Sequence, residues 1–317
     1  MIIKESEIPK PGRGEVLVRV RASSLNFRDL PIFAGQYQPS VPIGRVPLSD
    51  GAGEIEAIGE GVTRFRVGDK VVNSFFPTWF GGTLNTSHEQ WVVHHDGWLT
   101  QYKVVSAEIL VPLPSHMSFE EGATLSCAAV TAWSAIAGVR AGEVVLTQGT
   151  GGVSLFAVQL ATALGAMVIS TTSSHDKAQT LRRLGAHAVI DYNATPDWGD
   201  AVRDLTNGRG VDRVVEVGGP ATLPQSMKAS AVGGEIAIVG ILAGYEGSVD
   251  FMTMFMSRVS FRAVTIGSRR DLEDMCRVME QHGIRPVIDS VHAFDDAKAA
   301  ITHFAARNIV GKVVIQH

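Results

Sequence analysis

The chain is short of cysteine and of charge. It has 2 cysteines in 317 residues, Cys127 and Cys276. Two thiols cannot build a disulfide framework, and their scarcity fits a reducing cytoplasm. Charged residues make up 19% of the chain, against about 25% in an ordinary globular protein. With 45% hydrophobic residues, that shortage excludes a disordered chain and a coiled coil. Lysine and arginine number 28, aspartate and glutamate 32, giving a net charge of −4. Neither sign forms a long run, so nothing points to nucleic acid or to an anionic membrane surface. The start, M-I-I-K-E-S-E-I-P-K, has no apolar core leading to a cleavage site, so no secretory signal is expected.

Glycine, in contrast, is abundant. The chain has 33 glycines, where ordinary usage of about 7% gives roughly 22. The length gives a prior of two domains at about 150 residues each. Many tight turns or close backbone approaches within a large buried protein follow. Val144–Ser174 holds 31 residues without a charge, long enough to suggest a membrane span. It is interrupted by G-T-G-G at 149–152 and by Gln148 and Gln159. A buried strand, a tight turn and a buried helix account for it better.

Residues 15–22, E-V-L-V-R-V-R-A, alternate apolar and charged side chains, the pattern of a half-buried antiparallel strand. G-A-G-E-I-E-A-I-G at 51–59 and V-G-D-K-V-V at 67–72 add short strands between glycine turns. Residues 73–100 read as a long irregular loop, and P-L-P at 112–114 as a domain junction. Ser118 and Glu121 form a capping box ahead of a buried helix. From there strands and helices alternate. Strands are expected at 144–148, 167–172, 188–191, 213–217 and 235–240, with helices at 152–164, 175–184, 197–206 and about 220–230. A strand at 261–267, helices at 271–282 and 295–307, and a strand at 311–315 follow. Such alternation predicts an α/β protein with a parallel sheet covered by helices.

The sharpest motif is V-V-L-T-Q-G-T-G-G-V-S at 144–154. A strand runs into Gly149, Thr150, Gly151 and Gly152, and a helix opens at Val153. This is the arrangement of a dinucleotide-binding turn, in which glycine permits the turn and the approach of the pyrophosphate to the helix N-terminus. The third small position is Ser154 rather than glycine. The second strand ends in S-T-T-S-S-H-D-K at 170–177. An acidic residue there would favour NAD through the ribose hydroxyls. The hydroxyls of Thr172, Ser173 and Ser174 and the ammonium of Lys177 instead suit a 2′-phosphate, predicting NADPH in preference to NAD. Ser173 or Ser174 can also serve as an ordinary helix cap.

The order of these segments resembles the medium-chain dehydrogenase/reductase superfamily over nearly the whole chain. The resemblance rests on G-E-V-L-V-R-V-R-A-S-S-L-N-F-R-D at 14–29, D-G-A-G-E-I-E-A-I-G-E-G-V at 50–62, V-G-D-K-V at 67–71, A-T-L-S-C-A-A-V-T-A-W at 123–133, the glycine turn, and A-V-G-G-E-I at 231–236. The nearest branch resembles bacterial zinc-type alcohol dehydrogenase-like proteins and quinone oxidoreductases. The resemblance implies a GroES-like catalytic domain from residues 1–116 and 257–317 around a Rossmann domain at 117–256. It also implies a cofactor in the cleft between them, and a homodimer. Members that use catalytic zinc take a cysteine, a histidine and a second cysteine. Those positions fall here on Asn26, Ser49 and Cys127, with Asp50 at the place of the glutamate that follows the histidine. One soft ligand in three does not hold a tetrahedral zinc, and two cysteines cannot form a four-cysteine lobe. No metal is expected, although His88, His94 and His95 lie together in the long loop.

Without zinc, a developing oxyanion needs another donor. Asn26 is the first candidate; its alternative is a cap on the turn L-N-F-R-D. Arg28 and Asp29 could orient substrate or pair structurally. Tyr37 could close the pocket, and Ser49 and Asp50 could contact substrate or form a structural turn. The family pattern places Thr131, Val217, Gly218, Gly240, Ile241 and Leu242 beside the cofactor, together with Gly267, Ser268 and Arg269 after the 261–267 strand. Phe251, Met252, Met254, Phe255 and Met256 could form a dimer edge, a substrate lip or ordinary core.

The expected function is an NADPH-dependent, zinc-independent oxidoreductase, cytoplasmic, that passes hydride to a small hydrophobic carbonyl compound. Reduction of an activated C=C bond on the same fold is an alternative. A non-catalytic NADPH-binding accessory protein is an alternative of another class.

Overall fold

The computed structural model describes residues 2–37, 39–244 and 246–317. β1, Glu15–Ser24, turns Val16, Val18 and Val20 into a core and leaves Arg19 facing out, as its alternation dictates. The short helix α1, Asp29–Phe33, follows. β2, Asp50–Ile58, and β3, Lys70–Asn73, pair antiparallel with one another, and β2 pairs with β1. Two strands without a clear signal follow: β4, Tyr102–Ser106, beside β1, and β5, Leu110–Pro112, beside β3.

Beyond Asn73, which ends β3, the 73–100 segment has no strand among its described residues apart from an isolated bridge from Trp91 to His95. It is nevertheless not peripheral. Phe75, Phe76, Trp79, Trp91 and Trp98 are all buried, and Trp91 and Trp98 belong to the same core as β1 and β2. The loop also holds the start of a later helix, since the Trp79 and Phe80 carbonyls accept from the N–H groups of Arg269 and Arg270.

The Ser118–Glu121 capping box is present and opens α2, Phe119–Gly122. The helix expected beyond it is broken. Leu125–Ala129 forms a π-helical turn before α3, Val130–Ala135. Such turns inside helices are frequent at functional sites, and this one carries Cys127.

A parallel sheet comes next. Its strands are β6 Val144–Gln148, β7 Met167–Thr172, β8 Ala188–Asp191, β9 Val211–Glu216, β10 Ser230–Ile238 and β11 Ser260–Ala263. Helices α4 Gly152–Ala163, α5 His175–Arg183, α6 Trp198–Leu205, α7 Leu223–Ala229 and α8 Phe251–Ser257 lie between them in the chain. The sheet order is β11-β10-β9-β6-β7-β8. The order reverses between β6 and β9, the switch point at which ligands sit beyond the carboxyl ends of the strands in doubly wound sheets. The uncharged stretch is β6, the glycine turn, α4 and β7. No helix among the described residues is long and apolar enough to cross a membrane.

The chain then forms α9, Arg269–His282, an unanticipated strand β12, Ile288–Ala293, α10, Ala297–Ala305, and β13, Lys312–Gln316. β13 pairs with β1 and completes a seven-stranded sheet of order β12-β13-β1-β2-β3-β5, with β4 on β1.

Two compact units result, Met1–Val130 with Gly267–His317, and Thr131–Ile266. These boundaries lie later in the chain than those expected at 116/117 and 256/257. P-L-P at 112–114 is not a junction, because Pro112 ends β5 and pairs with Val71. Residues 117–130 stay with the first unit because Ala123 joins the Ala22, Ala52 and Val314 core and Gly122 abuts Leu113. At the other boundary, β11 is the edge strand of the parallel sheet. The ordinary-core reading of 251–256 holds only for Met254, which packs half-buried against the core of the parallel sheet. No residue of α8 is buried, and Phe251, Met252, Phe255 and Met256 are each more than half exposed.

Gly51, next to Asp50, marks a close approach. A Cβ there would lie 2.5 Å from the Trp98 ring, which is fully buried. Gly51→Ala must displace the indole and is expected to cost about 1–3 kcal/mol. An unchanged melting temperature would contradict this packing.

Candidate active site

The first unit holds a buried polar cluster where the end of β1, the start of β2 and the start of β13 meet. Asp50, at the first position of β2, has no exposed surface. Its Oδ2 accepts from Asn26 Nδ2 at 2.8 Å and from Ser24 Oγ at 3.1 Å. The Lys312 ammonium lies 3.7 Å away. Lys312 is itself buried, and its Nζ donates to the Leu25 carbonyl at 2.5 Å and to Asn26 Oδ1 at 2.6 Å. Burial pushes the Asp50 carboxyl above its usual range, against the opposing pull of Lys312. Its Oδ1 is buried with no hydrogen-bond partner among the described residues.

Asn73 holds this arrangement in place from the end of β3. Its Oδ1 accepts from the Gly51 N–H at 2.8 Å and from Ser126 Oγ at 3.1 Å, and its Nδ2 donates to the Ser49 carbonyl at 2.9 Å. One buried amide thus fixes the backbone on both sides of Asp50 and ties it to the π-helical turn. Asn73 was missed in the sequence because a lone asparagine ending a short strand has no motif.

The second half of the cluster surrounds Arg28. Its Nε donates to the Tyr37 hydroxyl at 3.2 Å, its Nη1 to Ser49 Oγ and to the Trp91 carbonyl, and its Nη2 to Gln90 Oε1 at 3.3 Å. Tyr37 donates to the same Gln90 oxygen at 3.4 Å. The guanidinium lies 4.8 Å from the centre of the Tyr37 ring and 4.9 Å from that of Phe75.

Tyr37 and Ser49 therefore gather around Arg28, and Asn26 and Asp50 around Lys312, the two sets being joined through Asn73 and the backbone at 49–51. Lys312 has one sequence signal, a lysine opening an otherwise apolar strand, G-K-V-V-I. The turn at 26–29 is closed by Asp29 rather than by Asn26, since Asp29 Oδ2 accepts from the Asn26 N–H at 2.7 Å. Arg28 and Asp29 do not form the expected pair within 4.0 Å.

The positions of a family zinc site, Asn26, Ser49 and Cys127, do not suit a dication. Two cations already engage the Asn26 and Ser49 oxygens. Burial pushes the Cys127 thiol up, and it is the one soft ligand among the three positions. Among the described residues no group of three or more His, Cys, Asp or Glu side chains could hold a metal. His88 stacks on Trp79, His94 accepts from the Gln90 N–H, and His95 bonds to Glu89.

The second unit holds the glycine turn. Gly149 has φ +74°, and its N–H donates to the Thr171 carbonyl at 2.8 Å. A Cβ at Gly149 or Gly151 would meet nothing within 4 Å, so open space faces the turn. No side chain caps α4, whose first turn contains Gly152 and Val153. Ser154 fills the third fingerprint position and donates to the Gln148 carbonyl at 2.6 Å. At the end of β7, Thr172 Oγ1 is buried without a partner among the described residues. Ser174 caps α5 through the Lys177 N–H, the ordinary cap anticipated for it. An uncapped helix start and an open glycine turn suit the pyrophosphate of a dinucleotide.

Between these strands lies a buried carboxylate that the sequence did not flag. Glu216 Oε1 accepts from the N–H groups of Gly218 and Gly219 and from Thr222 Oγ1, and its Oε2 from Gln148 Nε2 and Ser226 Oγ. Gln148 Oε1 accepts from the Val217 N–H at 3.1 Å. The turn at 217–219 is thereby fixed to the glycine turn across the switch point. Gly240, Ile241 and Leu242 pack on it, with the Leu242 N–H donating to the Val217 carbonyl. Thr131, buried, opens this unit. Gly267, Ser268 and Arg269 belong to the other unit. Ser268 caps α9, and Arg269 is held by Glu108 and Glu273.

Two family models match the chain, an alcohol dehydrogenase GroES-like domain at residues 12–115 and a zinc-binding dehydrogenase domain at 152–304. A zinc-type alcohol dehydrogenase-like protein of Schizosaccharomyces pombe is 41% identical over 99% of this chain and 94% of its own length. A quinone oxidoreductase of Pseudomonas aeruginosa is 32% identical over 96% of this chain and 92% of its own. A solved NAD-dependent alcohol dehydrogenase matches with a TM-score of 0.91 at 34% identity, over 99% of this chain and 95% of its own.

Burial pushes the Asp29 carboxyl up to about 6, against the pull of Arg28. The unfolded chain releases this proton near pH 4. Between these values the folded state binds more protons, so stability falls as pH rises from about 4 through 6. Asp29→Asn keeps a carbonyl acceptor for the Asn26 N–H and cannot ionise. It is expected to gain about 2–3 kcal/mol on wild type between pH 4 and pH 7. Paired denaturation curves with a constant offset would contradict this.

Proposed function

The chain belongs to the medium-chain dehydrogenase/reductase superfamily and is an oxidoreductase, and from that premise we propose an NADPH-dependent reductase of small hydrophobic carbonyl compounds that works without zinc. The observation that carries this reading is the network joining Tyr37, Ser49, Asp50 and Asn26 around two cations. In the second unit the glycine turn and the uncapped α4 would hold the pyrophosphate. Thr172, Ser173 and Lys177 would meet the 2′-phosphate. Bound NADPH supplies the hydride.

The chain's own residues supply orientation and the proton. The Ser49 oxygen accepts from Arg28, so its hydroxyl proton is directed elsewhere, and the positive charge beside it makes that proton easier to give. Hydride on the carbonyl carbon and this proton on the oxygen complete the alcohol, and a proton from water restores the Ser49 hydroxyl. Tyr37, half-buried, bounds the site beside Arg28. Asn26 has its carbonyl on Lys312 and one amide hydrogen on Asp50, so it acts mainly as framework. The Phe75 ring, 4.9 Å from the guanidinium, gives the site an apolar side that favours apolar aldehydes, ketones and quinones. We place the protein in the cytoplasm, on its cysteine usage. We also propose a homodimer through α8, whose stacked Phe251 and Phe255 and flanking Met252 and Met256 form an exposed apolar strip.

The test is a panel of quinones, aldehydes and ketones with NADPH, followed by nicotinamide absorbance. Turnover is expected on at least one acceptor, and Ser49→Ala should lower its kcat by about 100-fold or more. A panel without turnover, or Ser49→Ala at full rate, would overturn the reading. Lys177→Ala should raise the KM for NADPH about tenfold, the effect of losing one charge-assisted contact, and leave that for NADH unchanged. An unaltered NADPH/NADH ratio would remove Lys177 from the phosphate site.

A further inference from the structure

Arg28 has no carboxylate at ion-pair distance, although the buried Asp29 and Asp50 carboxyls feel its charge from farther off. Its guanidinium is half-buried, flanked by the Tyr37 and Phe75 rings, and every acceptor it meets is neutral: a phenol, a hydroxyl, a carboxamide and a peptide carbonyl. No carboxylate of the described residues lies within 4.0 Å of it. Other arginines withdrawn from water are treated differently. Arg21, Arg45, Arg64, Arg213 and Arg269 each have a carboxylate within that distance, and Arg203 is spent on three backbone carbonyls. The two acids nearest Arg28 in sequence and in charge, Asp29 and Asp50, are engaged by the Asn26 backbone and by Asn26, Ser24 and Lys312.

A half-buried cation has lost part of its hydration and gains strongly when negative charge arrives. Its four contacts take four of the five N–H donors of a guanidinium, leaving one on Nη2 for a ligand. The same four contacts fix the plane of the group, so little reorganisation is needed when that ligand charges up.

We propose that Arg28 is the electrophilic residue of the reaction, the group that receives the negative charge developing on the substrate oxygen as hydride adds. The inference rests on reading this cluster as the substrate site. It specifies the acceptor as a compound whose oxygen passes through an anionic form, an alkoxide from an aldehyde or ketone or a phenolate from a quinone. Two electrons and the hydrogen arrive as hydride on carbon or on the conjugated ring system. The oxygen charge rests against Arg28 until a proton neutralises it.

The test compares wild type with Arg28→Lys, Arg28→Gln and Arg28→Met at saturating NADPH, using the best acceptor of the panel. Arg28→Met and Arg28→Gln should lose about 100- to 1,000-fold in kcat, the effect of removing an oxyanion donor. NADPH affinity, read by nicotinamide fluorescence, should stay within about twofold, and added guanidinium should restore part of the rate to Arg28→Met alone. A second measurement needs no turnover. Benzoate and benzamide are titrated against the emission of the tryptophans, among them Trp91, whose carbonyl lies 3.4 Å from Arg28. Wild type should bind benzoate at least about tenfold more tightly than benzamide, and Arg28→Gln should lose that preference.

If the wild type is active and Arg28→Gln keeps its kcat, the proposal fails and the reductase reading survives. If the wild type reduces nothing on the panel, the reductase reading fails, and the benzoate preference alone decides whether Arg28 receives an anion. Equal affinity of wild type for benzoate and benzamide would overturn the role of Arg28. Should Arg28→Met fold poorly by circular dichroism, Arg28→Gln and Arg28→Lys carry the comparison.

Discussion

A buried ammonium organises the first unit. Lys312 opens β13 inside the protein, and a cation there must be met by oxygen on every side it presents. Leu25 and Asn26 at the end of β1 supply two oxygens, and Asp50 at the start of β2 supplies the opposing charge. Three chain segments far apart in sequence are held to one point. Removing Asp50 or Asn26 would strand the charge, which is more damaging than replacing the whole set by apolar groups. The position of Ser49, and through it the contact with Arg28, follows from where Asp50 is fixed. Asn73 completes the constraint by holding the backbone on both sides of Asp50.

The second unit solves a similar problem with an anion. Glu216 is buried at the end of β9, and five donors converge on its two oxygens. The result is a rigid link across the switch point between the glycine turn and the 217–219 turn. A loosely held turn there would have to order itself each time a dinucleotide bound, at a cost in affinity. The network removes that cost by holding the backbone N–H groups in place beforehand.

Much of the fold was legible because periodicity reports burial directly. The alternation of β1, the capping box at Ser118 and the βα repeats from Val144 onward each express one local rule. What was not legible lacks a local rule. β4 and β12 are short and are recruited by pairing with β1 and β13, which is a tertiary matter. The π-helical turn at Leu125–Ala129 leaves no mark on an apolar run. In the site, Asn26, Ser49 and Asp50 could be found because a family pattern pointed at their positions. Asn73, Glu216 and Lys312 could not, since each is a single polar residue at a strand end whose partners are remote in sequence. Arg28 was visible, but its choice of Ser49 and Tyr37 over Asp29 depended on the fold.

Two cations, Lys312 and Arg28, engage the side-chain oxygens of Asn26 and Ser49, the positions at which zinc-using relatives carry ligands. The most direct test is the zinc content, by inductively coupled plasma mass spectrometry, of active protein produced in zinc-supplemented medium and purified without chelator. The account predicts far less than one zinc per chain. One equivalent of tightly bound zinc, lost together with activity on chelation, would contradict it.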